Sequence, residues 1–470
     1  MNNKLLYSLS ASSILLLAAC KMPRIPAAEL ANVPAQYNRV QTTDSSSIAD
    51  LGWNEFFTDP ALQRLIRDGI QYNYDLQLAL KRVEASQTQL RQAKLLQLPV
   101  VNAAITAQSS HPSKNSLNGI SLNTFLGQTH IEDYNAAFNL SWEADIWGKL
   151  RLKKEAALSA YLQTYEAQRA VQTQIVAAIA QGYYNLLMLD EQLSVAHSNL
   201  LLNDTTLTFT KLQWDAGMVS SLAVQQAESQ KQSVAILIPQ LESAIAVQEH
   251  ALSILTGKMP DSVYRETKLS EMHVNEQYAT GVPAGLVSRR PDVRAQEMAL
   301  RRANAQVGVA QREMYPSLTI TAVGGLNSFK SSNWFEIPAS LFGNVVGGLT
   351  SPVFQRGALK ANLALAKNQR EQAVLSFRQT VLQAVGDVSD ALVQHDKLRE
   401  QALIATAQVM TLKTAIRNAQ LLYQSGMANY LEVMTVQGNA LQAELNLALV
   451  RRQQLSTVVD LYRALGGGWK

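Results

Sequence analysis

Among the side chains that could form a covalent bond, Cys20 stands alone, the only cysteine in 470 residues. A single thiol has no internal disulfide partner, so its chemistry must come from its position. It closes the run Leu17-Ala18-Ala19-Cys20, after Lys4 and a nearly uncharged stretch from Leu5 to Leu17. That is the pattern of a secretory signal ending in a lipobox. The small residues fit a signal peptidase, and the thiol then carries a diacylglycerol and becomes the mature N-terminus. An ordinary signal peptide or a short buried helix would also tolerate a cysteine, but neither accounts for its spacing. Acyl chains contribute roughly 0.8 kcal/mol per buried CH₂, and several together anchor stably. Lys21 stands where Asp would indicate retention at the inner membrane, so the outer membrane is the expected destination.

Other chemistry-bearing residues do not assemble into a reaction centre. His111, His130, His197, His250, His273 and His395 are scattered without metal-ligand spacing. No HExxH occurs, and no Gly-rich phosphate cradle opens a helix. No catalytic residue, metal or cofactor is therefore expected. The net charge of +4 is small for this length and its basic residues are dispersed, which gives nucleic-acid binding no support.

The elements around these residues are mostly helical. Ala, Leu, Gln and Glu fill whole tracts, the composition of long helices. No stretch after Leu17 approaches the ~20 apolar residues of a spanning helix, so a bilayer crossing requires a β-barrel. The chain also repeats itself. Leu212-Gln213-Trp214-Asp215-Ala216-Gly217-Met218 returns as Leu422-Tyr423-Gln424-Ser425-Gly426-Met427, and Gly148-Lys149-Leu150-Arg151 returns as Gly357-Ala358-Leu359-Lys360. Gly148 to Gly357 and Gly217 to Gly426 are the same interval. Ala93 and Pro99 answer to Ala310 and Pro316 at a longer one, which places a short insertion between Pro99 and Gly148.

Two periods run through the repeats. In the second, Val374, Phe377, Val381, Ala384, Val388, Ala391, His395, Leu398, Ala402, Ala405, Val409, Leu412, Ile416, Ala419 and Tyr423 recur at steps of three and four, a heptad seam on which His395 reads as a packing residue. The first repeat offers Ile175, Ile179, Leu186, Leu189, Leu193, Ala196, Leu200, Leu207 and Trp214, interrupted at Gln168, Gln172, Asn203 and Thr210. At about 1.5 Å per residue, Gly148 to Trp214 extends about 100 Å as one helix. The strands alternate instead: Phe138, Leu140, Trp142, Ala144 and Ile146 against Asn139, Ser141, Glu143 and Asp145. This suits a tilted transmembrane strand with one lipid face and one wet face, although a half-buried soluble sheet alternates in the same way. Phe138, Leu140 and Trp142 are the expected lipid-facing residues. Four strands cannot close a membrane barrel, so several copies must share one.

The expected plan is a signal at 1–19, a lipidated N-terminal segment at 20–60, and a first repeat at 61–254. That repeat holds a first helix from about Asp59 to Leu98, strands near 99–109 and 136–147, a long helix at 148–214 and a return helix at 219–254. A connector follows at 255–287. The second repeat, 288–464, holds a helix opened by Pro291 and Asp292, strands near 315–325 and 343–354, a long helix at 357–424 and a return helix at 428–464. Residues 465–470 form a tail. The fold class is mainly α with a small β part.

In this order, several motifs resemble the outer-membrane factors of the TolC superfamily, in their lipoprotein branch. They are the lipobox; Trp53 with Phe56, Phe57 and Asp59; Asn73-Tyr74-Asp75-Leu76; Arg289-Arg290-Pro291-Asp292-Val293; Gly426-Met427-Ala428-Asn429-Tyr430-Leu431-Glu432-Val433; and Leu465-Gly466-Gly467-Gly468-Trp469. The resemblance covers essentially the whole mature chain. It implies a homotrimer with one twelve-stranded barrel and a periplasmic coiled-coil tunnel. It also implies a periplasmic adaptor, an inner-membrane pump of the resistance-nodulation-division class, and passive export of drugs or other small molecules.

The same resemblance locates the candidate sites. The Gly217 and Gly426 turns form the tip of the tunnel, with Gly217, Met218, Val219, Gly426, Met427 and Ala428 as adaptor contacts. An acidic gate ring falls on Glu432, where three copies would repel one another and attract cations. Many relatives place a second acid where this chain has Thr435, which reduces the constriction to one ring. Tyr423 either closes the tip or ends the seam. The competing accounts are the duct of a polypeptide secretion system and a lipid-anchored coiled-coil scaffold.

Overall fold

The computed structural model describes residues 47–272 and 285–470. Cys20, its signal and part of the connector lie outside the described residues. The elements in order are α1 (Trp53–Phe56), α2 (Pro60–Tyr72), α3 (Tyr74–Leu95), β1 (Val100–Ser110), α4 (Leu117–Leu126), β2 (Ile131–Ala144), α5 (Lys149–Asp215), α6 (Ser221–Ala235), α7 (Leu237–Leu255), α8 (Leu286–Arg289), α9 (Pro291–Arg312), β3 (Ser317–Ser328), β4 (Leu341–Thr350), α10 (Ala358–Gln424) and α11 (Tyr430–Ala464). They divide into two compact units, and α5 and α10, each 67 residues long, contribute to both.

The first unit, residues 92–156 and 300–374 among those described, holds one antiparallel sheet in the order β1-β2-β3-β4. Its register sets Phe138 between Ala103 and Gly324, and Leu140 between Val101 and Ala322. Continuing across β4, Leu318 faces Leu349 and Ala322 faces Val345. Because side chains alternate along each strand, these residues share one apolar face. Asn102, Asn139, Thr319, Thr321 and Asn344 belong to the other. Trp147 ties the sheet to its helices, its indole donating to Pro316 O at 2.6 Å while Arg312 Nε donates to Trp147 O at 2.6 Å.

The second unit includes residues 47–91, 157–272, 285–299 and 375–470. Its core gathers Leu62 and Ile66 of α2, Ile179, Tyr183 and Leu186 of α5, Leu252 of α7, and Val459 and Tyr462 of α11. Fully burying a Leu, Ile or Phe side chain contributes about 1.5–3 kcal/mol. Phe56 stacks on Tyr462 with centroids 3.9 Å apart and planes at 6°. Burial pushes the Tyr462 hydroxyl up to about 12. The motifs noted in the sequence are largely joints of this unit. Asp59 caps α2 through Leu62 N at 2.8 Å and accepts from the Tyr183 hydroxyl at 3.1 Å. Arg290 bonds Asp292 at 2.7 Å, Asp387 at 2.9 Å and Ala464 O at 3.2 Å, clasping three helices. Burial alone would oppose the charge on Asp292, but the bonds from Arg290 outweigh it and hold this carboxyl below the usual carboxylate range. The tail folds back so that Arg169 lies 4.1 Å from the centroid of the Trp469 ring.

Several boundaries depart from expectation. The helix expected from Asp59 to Leu98 breaks at Asn73, which is extended (φ −62°, ψ 127°), caps α3 through Leu76 N at 3.1 Å and donates to Leu255 O at 2.9 Å. The return helix expected over 219–254 breaks at Ile236, where Pro239 withholds the N–H that would bond Ala235 O. The strand placed at 136–147 runs 131–144. The one placed at 343–354 starts two residues earlier and ends at Thr350, before Pro352 can interrupt its ladder. The insertion in the first repeat contains α4, capped by Ser116 Oγ on Gly119 N at 3.1 Å and ended by Gly127 at φ +62°.

Candidate functional site

The two hairpin turns, both in the second unit, are built alike. Gly217 N donates to Trp214 O and Met218 N to Gln213 O, each at 2.8 Å; Gly426 N donates to Tyr423 O at 3.2 Å and Met427 N to Leu422 O at 2.8 Å. The glycines lie at φ +72° and +74°, the left-handed region in which an L side chain is strained. Both turns expose the same apolar set: Leu212, Met218 and Leu222 on one, Leu421, Met427 and Leu431 on the other. Gly217 and Gly426 are exposed with them, while Val219 and Ala428 are half-buried.

Tyr423 is placed within the helix pair. Its ring is 5% exposed and meets Phe209 edge-on at 5.3 Å. Thr210 Oγ1 donates to Thr206 O at 2.8 Å, so the Tyr423 hydroxyl donates to Thr210 Oγ1 at 3.0 Å. Burial raises the Tyr423 phenol above its ordinary value. Nearby, Gln437 Nε2 donates to Thr206 Oγ1 at 2.9 Å, and Tyr430 bonds Gln226 across to α6. These residues form a buried polar seam where α5 meets α10 and α11, and Asn203 and Thr210, read from sequence as interruptions, lie buried in it. Trp214, expected on that seam, is instead 49% exposed. His395 sits on the seam of α10 with Nδ1 3.7 Å from Asp396.

Glu432 lies in the first turn of α11. Asn429 caps that helix, accepting from Glu432 N at 3.1 Å, and its amide donates to Glu432 Oε1 at 3.3 Å. Glu432 and Thr435 are both exposed and begin a stripe that continues through Asn439, Gln442 and Asn446, polar and exposed at each step of three or four. The facing residues Gln408 and Thr411 of α10 complete an open groove of about 640 Å³. The opposite stripe of α11, with Val433, Gln437, Ala440 and Leu447, is buried.

In the first unit, Phe138 is 66% exposed, and Val101, Ile105, Leu341, Val345 and Leu349 are exposed beside it on the same face. Leu140 and Trp142 are half-buried, with the Trp142 indole donating to Gln97 O at 2.8 Å. Neither β1 nor β4 has a strand on its outer side among the described residues.

A family model described as outer membrane efflux protein matches residues 65–258 and 282–467. The chain belongs to this family. It is 30% identical to the probable outer membrane lipoprotein SilC of Salmonella typhimurium over 98% of both chains. It is 28% identical to the cation efflux system protein CusC of Escherichia coli over 93% of each. A crystal structure of a membrane protein from Pseudomonas aeruginosa superposes with a TM-score of 0.86 at 26% identity, covering 95% of this chain and 100% of that one. The chain is thus an outer-membrane channel component of a tripartite efflux system.

Proposed function

We propose that three copies of the chain close one twelve-stranded barrel and a helical tunnel, forming a passive duct that conducts drugs or other small molecules without catalysing a reaction. The observation that carries this reading is the four-stranded sheet, apolar and exposed on one face and unpaired at both edges. In lipid an unpaired edge costs several kcal/mol per group, so β1 of one copy must meet β4 of the next. Phe138, Leu140 and Trp142 then face the bilayer, and acyl chains on Cys20 add a second anchorage. The matched apolar sets around Gly217 and Gly426 suit docking to a periplasmic adaptor, which couples the duct to an inner-membrane pump of the resistance-nodulation-division class.

Glu432 forms the acidic ring at the tip, with Thr435 the neutral position behind it. Tyr423 acts from within, fixing the second hairpin against α5 so that opening requires its bond to Thr210 to yield. Native mass spectrometry should find three copies, and lipid-phase labelling should reach Phe138, Leu140 and Trp142. A monomer without such labelling would support the scaffold instead. In planar bilayers Glu432→Ala should raise conductance and weaken cation preference; unchanged values would sink the gate assignment.

A further inference from the structure

His111 and His130 stand 19 positions apart in the chain and have no motif spacing, yet the sheet brings them together. The β1–β2 register ends with Ser110 opposite Ile131, and His111 and His130 are the residues next beyond that last rung. Their rings face each other with centroids 5.0 Å apart and planes at 13°. His111 is exposed and His130 half-buried, so solvent reaches the pair.

We propose that these two side chains form a binding site for a divalent transition-metal ion of the copper or zinc type. Two imidazoles ligating one ion through nitrogen at about 2.0–2.1 Å place their centroids about 4.5 Å apart at a square angle and about 5.2 Å apart at a tetrahedral one. The pair already has this spacing, and rotation of the rings about χ2 is the remaining adjustment. The last rung of the ladder, Ser110 opposite Ile131, directly adjoins the pair, so little backbone order has to be created on binding. Among the described residues no group of three or more His, Cys, Asp and Glu side chains converges. Water therefore completes the coordination, and with two imidazole ligands Cu²⁺ binds most tightly of the first-row divalent ions.

The site closes the base of the excursion that carries α4. That segment exposes Leu117, Ile120 and Phe125 and contains a single tryptic site, Lys114. A metal bridging His111 and His130 pins both ends of the excursion to the sheet.

The test uses the full-length protein purified in detergent through a histidine-free tag. Titration with Cu²⁺ should show one site per chain, with an electron paramagnetic resonance spectrum carrying two imidazole nitrogens. His111→Asn and His130→Asn should each weaken binding at least about tenfold and leave one nitrogen, whereas His197→Asn should change neither. Cu²⁺ should slow cleavage after Lys114 in the wild type and not in His111→Asn. Each variant is checked for unchanged assembly by native mass spectrometry, and the exposed setting of the pair keeps the fold intact. Unaltered copper affinity in either variant, a single coupled nitrogen in the wild type, or protection that persists in His111→Asn would overturn the proposal.

Discussion

The α5–α6 and α10–α11 hairpins share a turn but differ in the side chains arranged around it. Trp214 is exposed where its counterpart Tyr423 is buried and hydrogen-bonded. Ser220 makes no side-chain bond at the start of α6, whereas Asn429 caps α11. At the third position of the return helix, Ala223 is 0% exposed and Glu432 is exposed; α11 buries the next residue, Val433. Over the first two turns the buried stripe, Ala223 and Ala227 against Val433 and Gln437, has moved by one residue, a rotation of about 100°. Duplication thus preserved the backbone joint while its two copies took different tasks. At this position one hairpin packs, and the other presents an acid.

Exchanging the chemistry between the hairpins is the strongest way to break this comparison. Ala223→Glu would bury an unpaired carboxylate and should destabilise by about 3 kcal/mol or more, seen as a lowered thermal transition in detergent. The reciprocal Glu432→Ala should stay within about 1 kcal/mol of wild type. Equal tolerance of both would make the hairpins interchangeable. Gly217→Ala and Gly426→Ala should each cost about 1–2 kcal/mol, because both force an L side chain to positive φ. A marked inequality between them would mean that the turns are not true copies.

Tyr423→Phe should cost about 1 kcal/mol by removing one buried hydrogen bond, while Trp214→Phe should shift stability by less than about 0.5 kcal/mol. Burial favours the neutral phenol of Tyr423. Its contribution is therefore whole below about pH 10 and is lost as the pH rises through the raised folded value. Tyr423→Phe should flatten that part of the alkaline unfolding curve. The smallest contrast is Asn429→Ala, at about 1 kcal/mol, against a few tenths for Ser220→Ala.

Local periodicity carried much of the fold. The heptad residues from Phe377 to Tyr423 lie on one buried to half-buried stripe of α10 because apolar residues at heptad spacing need only their own helix to declare a face. The matching stripe of α5 was harder to read. Asn203 and Thr210 look like interruptions until α10 and α11 supply their surroundings, with Tyr423 and Gln437 pairing to this polar seam from more than two hundred residues away. The break at Asn73 depends on Leu255 in the same way. By contrast, Pro239 and the Ser116 and Gly127 signals around α4 were local and open to inspection. Glu432 was located through motif order, since one exposed glutamate looks like any other. His111 and His130 became a pair only through the strand register.

The two bare edges of the sheet also have a genetic consequence. If three copies close a ring, each chain depends on both neighbours, and one faulty β1 or β4 spoils a whole assembly. Where half the chains carry such a fault and mix at random, roughly one ring in eight escapes it. A damaged allele of this kind would act dominantly over the intact gene, poisoning transport while normal subunits are still being made.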